Sequence, residues 1–256
     1  MHLKRFLYLL TASLLAMPAV SAQDVQAHIA AGDSAYAVFD AEGALLHYEA
    51  ALAIDSMNAD ALGKASRTAI DVAEPLTDAA RQKQLFQKGA LYARRGVVAD
   101  SGSAENWFHL ARALGRTALS VGVRDRVRYA VDIRECALKS LAISPDHAGA
   151  LHVLGVWNAE IKRLSGFELF MARRFLGGGV LGKANWDDAV KYMERAVEVD
   201  PIRVSHRLDL GAIYADIGQK DKARTNFEAV INNTTRTDYN DALYKKQAED
   251  RLKRLK

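Results

Sequence analysis

"LGAIYADIGQKDKARTNFEAVI", residues 210–231, carries the reading on which the fold turns. It opens with Leu210-Gly211, places an aromatic at Tyr214, breaks at Ile217-Gly218-Gln219 and resumes with Ala223 and Phe227. Small and large apolar residues three and four apart, on both sides of a glycine-containing turn, describe two short antiparallel helices packed closely together. The rest of the chain has the matching composition. Prolines are few, Ala and Leu abundant, and alternating β-branched runs are missing, so an all-α chain is expected.

The same arrangement stands near the other end as Gly32, Tyr36, Ala44, Tyr48 and Ala51. Both stretches resemble the tetratricopeptide repeat, which has a period of about 34 residues. The resemblance implies an α-α solenoid. A helix-ending phrase recurs as Ala-Ile-Asp-Ser at 53–56, Val-Ala-Asp-Ser at 98–101, Ala-Ile-Ser-Pro at 142–145 and Glu-Val-Asp-Pro at 198–201. Asp or Ser in it is expected to cap the following helix, with Pro tolerated in that helix's first turn. The phrases divide the chain into units of about 25–58, 59–102, 103–146, 147–202 and 203–236. The interior units are longer than the standard repeat, with their excess near Glu74-Pro75, near Ser120-Val121-Gly122, and over roughly 162–184 as an insert helix. Residues 237–256, with Ala242, Ala248, Leu252 and Leu255 between charges, read as a helix capping the apolar end of the array.

The N-terminus carries Lys4 and Arg5, an apolar run from Phe6 to Ala16, and the small-residue stretch Met17-Pro18-Ala19-Val20-Ser21-Ala22. This is the pattern of a secretory signal peptide over 1–22, which makes the repeat domain 23–256 an exported protein, periplasmic or secreted, of bacterial type. The apolar run is well short of the roughly 20 residues that span a bilayer, so no stable membrane insertion is expected after cleavage. Without Lys4 and Arg5, 33 basic residues face 31 acidic ones, a balance with no footprint for nucleic acid. The single cysteine, Cys136, makes no intramolecular disulfide and reads as a small core residue.

Gly177, Gly182 and Lys183 fit most of a phosphate-binding loop, but Ala184 stands where the magnesium-holding hydroxyl belongs, and Phe167, Phe170, Ala172 and Phe175 before it suggest an amphipathic helix where the loop requires a strand. The glycines then end the insert helix, and Asn185 caps the helix starting at Trp186. The histidines at 28, 47, 109, 147, 152 and 206 form no metal-binding motif. His152 and Glu160 share a helical face and are the sole acid/base pair worth naming. No catalytic residue, cofactor or metal is expected.

A narrower resemblance is carried by Trp107-Phe108, Leu110-Ala111 and Ala113-Leu114-Gly115-Arg116, by His152, Leu154-Gly155, Trp157 and Glu160, and by Gly166-Phe167-Glu168, Ala172-Arg173 and Phe175-Leu176-Gly177-Gly178. Over roughly 104–231 the chain resembles the regulator of microtubule dynamics family. That resemblance implies a helical-repeat protein without established enzymatic activity, in a family whose animal members are linked to microtubules and organelle contacts; the leader at the N-terminus departs from them.

In tetratricopeptide proteins the first helix of each unit lines the concave side. On that basis Phe108, Arg112 and Arg116 form one groove stripe, and His152, Val156 and Glu160 the next. These six are the candidate partner-binding residues, for a peptide or a partner helix, with Arg112 and Arg116 taking a carboxylate. The competing role for the arginines is an inter-repeat bridge to Glu160. Trp107, Trp157 and Trp186 read as packing anchors. The expected function is a non-enzymatic interaction or scaffold module; the alternative is a carrier of a small apolar ligand, with Phe167, Phe170 and Phe175 covering a cavity at the insert end of the groove.

Overall fold

The structure, a computed structural model, describes residues 17–118, 121, 123–175 and 179–255. Twelve α-helices occupy them: α1 (Met17–Ala37), α2 (Ala41–Ile54), α3 (Ala59–Ala73), α4 (Ala79–Ala99), α5 (Ala104–Ala118), α6 (Val123–Ile143), α7 (Ala148–Arg163), α8 (Gly166–Phe175), α9 (Trp186–Val199), α10 (Val204–Asp216), α11 (Lys220–Ile231) and α12 (Asp241–Arg254). No strand occurs among the described residues. Antiparallel pairs α1/α2, α3/α4, α5/α6, α7/α9 and α10/α11 stack in order, with α8 and a 3-10 turn at Gly179–Lys183 inserted in the fourth pair. The chain is an all-α solenoid. Of the leader assigned to 1–22, residues 1–16 lie outside the described residues and 17–22 run into α1. Among the described residues no helix is long and apolar enough to cross a membrane.

Close approach within the first and last pairs is set by a glycine facing an aromatic ring. A Cβ on Gly32 would lie 2.5 Å from the ring of Tyr48, and one on Gly211 would lie 2.7 Å from that of Phe227. In each case the missing side chain is what lets the ring sit against the first helix, and both rings are fully buried. Three clusters follow along the array. The first unites α1, α2 and α3; the second runs from α3 to the insert, with Cys136, Trp157 and Leu181 buried in it; the third joins the fourth and fifth pairs to α12. Burial first, then Asp132, pushes the Cys136 thiol up to about 11, so it stays a neutral packing group.

The recurring phrases end helices and do not start them. Asp55, Asp100 and Asp200 are C-caps, and the first two then accept from the backbone N–H two residues on, closing tight turns. The helix that follows is capped three residues later, by Asn58, by Ser103 and by the His147 ring nitrogen. Pro145 and Pro201 sit in the turn itself. The chain needs one turn of backbone to reverse direction, and the cap falls after that turn.

At the C-terminal end, Ala248 is fully buried against the third cluster, with Leu252 and Leu255 beside it. Ala242 is exposed; the second inward residue is Tyr244. Replacing Phe227 by Ala is expected to destabilise the protein by about 3–5 kcal/mol, because a fully buried ring leaves a cavity beside Gly211. Denaturant unfolding followed by circular dichroism measures it; a loss under about 1 kcal/mol would show that this pair does not anchor the fifth unit.

Candidate interaction groove

Successive first helices meet one another, α3 with α5, α5 with α7 and α7 with α10, and charged residues gather along that side of the array. Asp71 near the end of α3 has no exposed side-chain surface, and Glu74, which caps α3, has 5%. Two carboxylates so deeply buried require cations. Arg112 and Arg116, one turn apart on α5, supply them. Arg112 donates to Asp71 Oδ1 at 2.6 Å and Glu74 Oε1 at 3.0 Å, and Arg116 stands 2.9 Å from the same Glu74 oxygen. The Tyr36 hydroxyl donates to the other Asp71 oxygen at 2.8 Å. Burial drives the Glu74 pKa up, but Arg116, Arg112 and the Tyr244 hydroxyl outweigh it and hold the carboxyl below its usual range. At Asp71 burial prevails over Arg112, with Asp238 and Glu74 adding to it, and the pKa is raised.

The arginines therefore do not bridge to Glu160, as the sequence had allowed. Glu160 is exposed at the end of α7, paired with Arg163, which in turn reaches Asp216 of α10 at 2.9 Å. The sequence could not tell whether the α5 stripe would turn to the preceding or the following unit. The dry carboxylates of α3 demand compensation and the wet one on α7 does not. Asp71 and Glu74 were missed, although Asp71 interrupts the apolar run Ala69-Ile70-Asp71-Val72-Ala73, which is the mark of a buried acid.

On α7, His152 meets α10. Its Nε2 lies 2.9 Å from Asp209 and its Nδ1 2.6 Å from Nδ1 of His206. A His152 that donates from Nε2 accepts at Nδ1 from His206, whose buried Nε2 then has no partner among the described residues. Burial first, then His152 and Arg203, lower the His206 pKa well below its ordinary value, so this ring is neutral at pH 7. His152 and Glu160 do not form an acid/base pair. Val156 is half-buried against the third cluster. Phe108 is half-buried between α5 and α7, its ring 4.9 Å from that of His147 and pressed on Gly149, where a Cβ would fall 2.5 Å away.

Phe167 and Phe170 are 72% and 58% exposed on α8, so they do not cover a cavity; the Phe175 side chain lies outside the described residues. Gly182 and Lys183 end the 3-10 turn with no strand before them, and Gly177 lies outside the described residues. Asn185 caps α9, accepting from the Asp188 N–H at 2.7 Å. Trp157 is buried and donates to the Ala130 carbonyl, while Trp107 and Trp186 are partly buried.

The groove is not empty. The segment 236–244, between α11 and the first turn of α12, folds into it. Asn240 donates to the Asp71 carbonyl at 2.9 Å, and the Tyr244 hydroxyl to Glu74 Oε2 at 2.7 Å. Asp238 accepts from Arg203 at 2.8 Å, and the Arg236 guanidinium lies 4.0 Å from the centre of the Phe39 ring. Phe39 holds a φ of 62° at the end of α1, a left-handed conformation that costs energy for a side chain of this size. Residues 236–244 thus reach back to α3, beyond the end-capping role expected of 237–256.

A family model described as regulator of microtubule dynamics protein 1-3 matches residues 28–256. Regulator of microtubule dynamics protein 1 of Pongo abelii is 25% identical over 170 residues, which cover 65% of this chain and 53% of that protein. The Homo sapiens protein is 26% identical over 161 residues, covering 62% and 50%. The chain thus spans about half the length of the curated relatives it matches. Among solved structures, a thermophilic TPR protein of Thermus thermophilus aligns with a TM-score of 0.63 at 16% identity, over 88% of this chain and 98% of that one. Pseudomonas aeruginosa pilF aligns with a TM-score of 0.53 at 15% identity, over 92% and 93%. At these identities the likeness to solved structures is one of fold.

Replacing Arg112 and Arg116 together by Ala is expected to cost about 3–5 kcal/mol, because Asp71 and Glu74 remain buried without counter-ions. Adding Asp71→Asn and Glu74→Gln should recover part of the loss in denaturant unfolding, and adding Glu160→Ala none. Recovery by Glu160→Ala would contradict the assigned pairs.

Proposed function

The chain belongs to the regulator of microtubule dynamics protein 1-3 family, and from that premise we propose that it is a non-enzymatic interaction module that holds a protein or peptide segment in its concave groove. One observation carries this reading: the inner face already holds a polypeptide segment, residues 236–244, through the Asp71 carbonyl and the Glu74 side chain at the end of α3 and the Arg203 side chain at the start of α10. A surface that holds one segment through the Asp71 carbonyl, Glu74 and Arg203 has the chemistry to hold another. Phe108, Arg112, Arg116, His152, Val156 and Glu160 remain the proposed lining, with Arg112 and Arg116 acting through the carboxylates they fix and not by seizing a partner's carboxylate directly. What the animal relatives are named for, microtubule dynamics, belongs to proteins about twice as long as the stretch they share with this chain.

A photo-reactive phenylalanine analogue placed at position 108 of the full chain should form adducts with the partner in its native compartment, while the same group at Lys191, exposed on α9, should form none. Adducts at 191 alone would overturn the groove reading.

The proposed compartment is the bacterial periplasm or exterior, supported by the charged and apolar residues at the start of the chain. Expression of the whole gene in a secreting bacterium should yield a product beginning at Gln23 by intact mass. A full-length cytoplasmic product would sink the export proposal.

A further inference from the structure

We propose that residues 236–244 are a self-ligand that shuts the groove, and that the partner replaces them by presenting an acidic residue to Arg203 and, further along, a hydroxyl or amide donor to Glu74 and the Asp71 carbonyl. The proposal rests on the groove reading above and names the chemistry of its occupant.

In a solenoid each unit needs only its neighbours. The bonds of Asn240 and Tyr244 break that rule: they span 169 and 170 residues of sequence and join the end of the array to its second pair. Stacking does not require them. They are contacts of the kind a ligand makes, polar and addressed to groups that the groove has already positioned.

The segment's two sides differ in chemistry. Towards its own end the chain is seated by apolar burial, with Ala248 in the third cluster and Leu252 and Leu255 packed against it; the Tyr244 ring lies between the two sides, in the same cluster with its hydroxyl on Glu74. Towards the first three pairs the anchoring contacts are polar, among them two hydrogen bonds and one cation over a ring. Asp238, Asn240 and Tyr244 are buried when docked, but hydrogen bonds largely exchange water partners for protein ones, so undocking this side gives up less than unseating α12, which exposes apolar surface. Residues 232–240 contain no helix and supply the hinge.

Both halves of the contact are also braced by bonds of their own. In the segment, Asp241 Oδ2 accepts from the Thr237 and Asp238 N–H groups at 2.6 and 3.2 Å, and Asp238 Oδ1 from the Asn240 N–H at 2.9 Å. In the groove, Asp71 and Glu74 stay fixed by Arg112, Arg116 and Tyr36. Undocking leaves the Asp71 carbonyl and one Glu74 oxygen without their donors, Arg203 with Asp200 alone, and the Phe39 ring uncovered. These open groups define what a partner has to bring.

The test uses the full chain and a fluorescent peptide of residues 233–247 as probe. The variant Asp238→Asn/Asn240→Ala/Tyr244→Phe, which breaks the docking contacts and keeps Ala248 seated, should bind the peptide at least about tenfold more tightly than the wild type, which meets its own segment at high effective concentration. Equal binding by both, or no binding by a variant whose circular dichroism and melting match the wild type, overturns the proposal. Partner adducts at position 108 together with equal peptide binding would remove the self-ligand and leave the groove reading standing.

Discussion

Two carboxylates without access to water, Asp71 and Glu74, cannot remain charged unless cations and donors are brought to them. Much of the inner face answers that need. Arg112 and Arg116 lean from α5 back towards α3; Tyr36 closes on Asp71 from α1; Tyr244 comes from the far end of the chain to Glu74. The pairs of an α-solenoid are otherwise joined only to their neighbours. Here a polar layer ties the first three to the last and draws the C-terminal segment inward.

A second constraint sets how close the helices stand. Gly32 against Tyr48 and Gly211 against Phe227 place the same small-to-large contact in the first and last pairs. The longer interior units are accommodated without disturbing it, because α4 and α6 simply extend and the insert tucks Ala172 and Leu181 into the second cluster while Phe167 and Phe170 stay outside. The packing is therefore local and repetitive, and the polar layer is long-range and made once.

That division governs what could be read from the residues. Helix pairs, their order, the insert and the presence of a terminal helix follow from apolar spacing and turn residues, since every one of those contacts is made within a unit or with the next. Even there local chemistry misleads by one turn: Asp55 and Asp100 of the recurring phrases end helices, and the side-chain caps of the following ones, Asn58 and Ser103, stand three residues on.

The amino-acid sequence by itself determined the all-α repeat architecture and the family, because neighbour packing leaves a periodic record. Tertiary structure alone decided which charge meets which. Arg112 could have faced Glu160 or Asp71 with the same spacing, and the choice went to the acid that burial leaves without water. Nor could spacing show that Asn240 and Tyr244 lie against α3, since a hydrogen bond across about 170 residues depends on the accumulated curvature of every unit between them and leaves no period in the sequence.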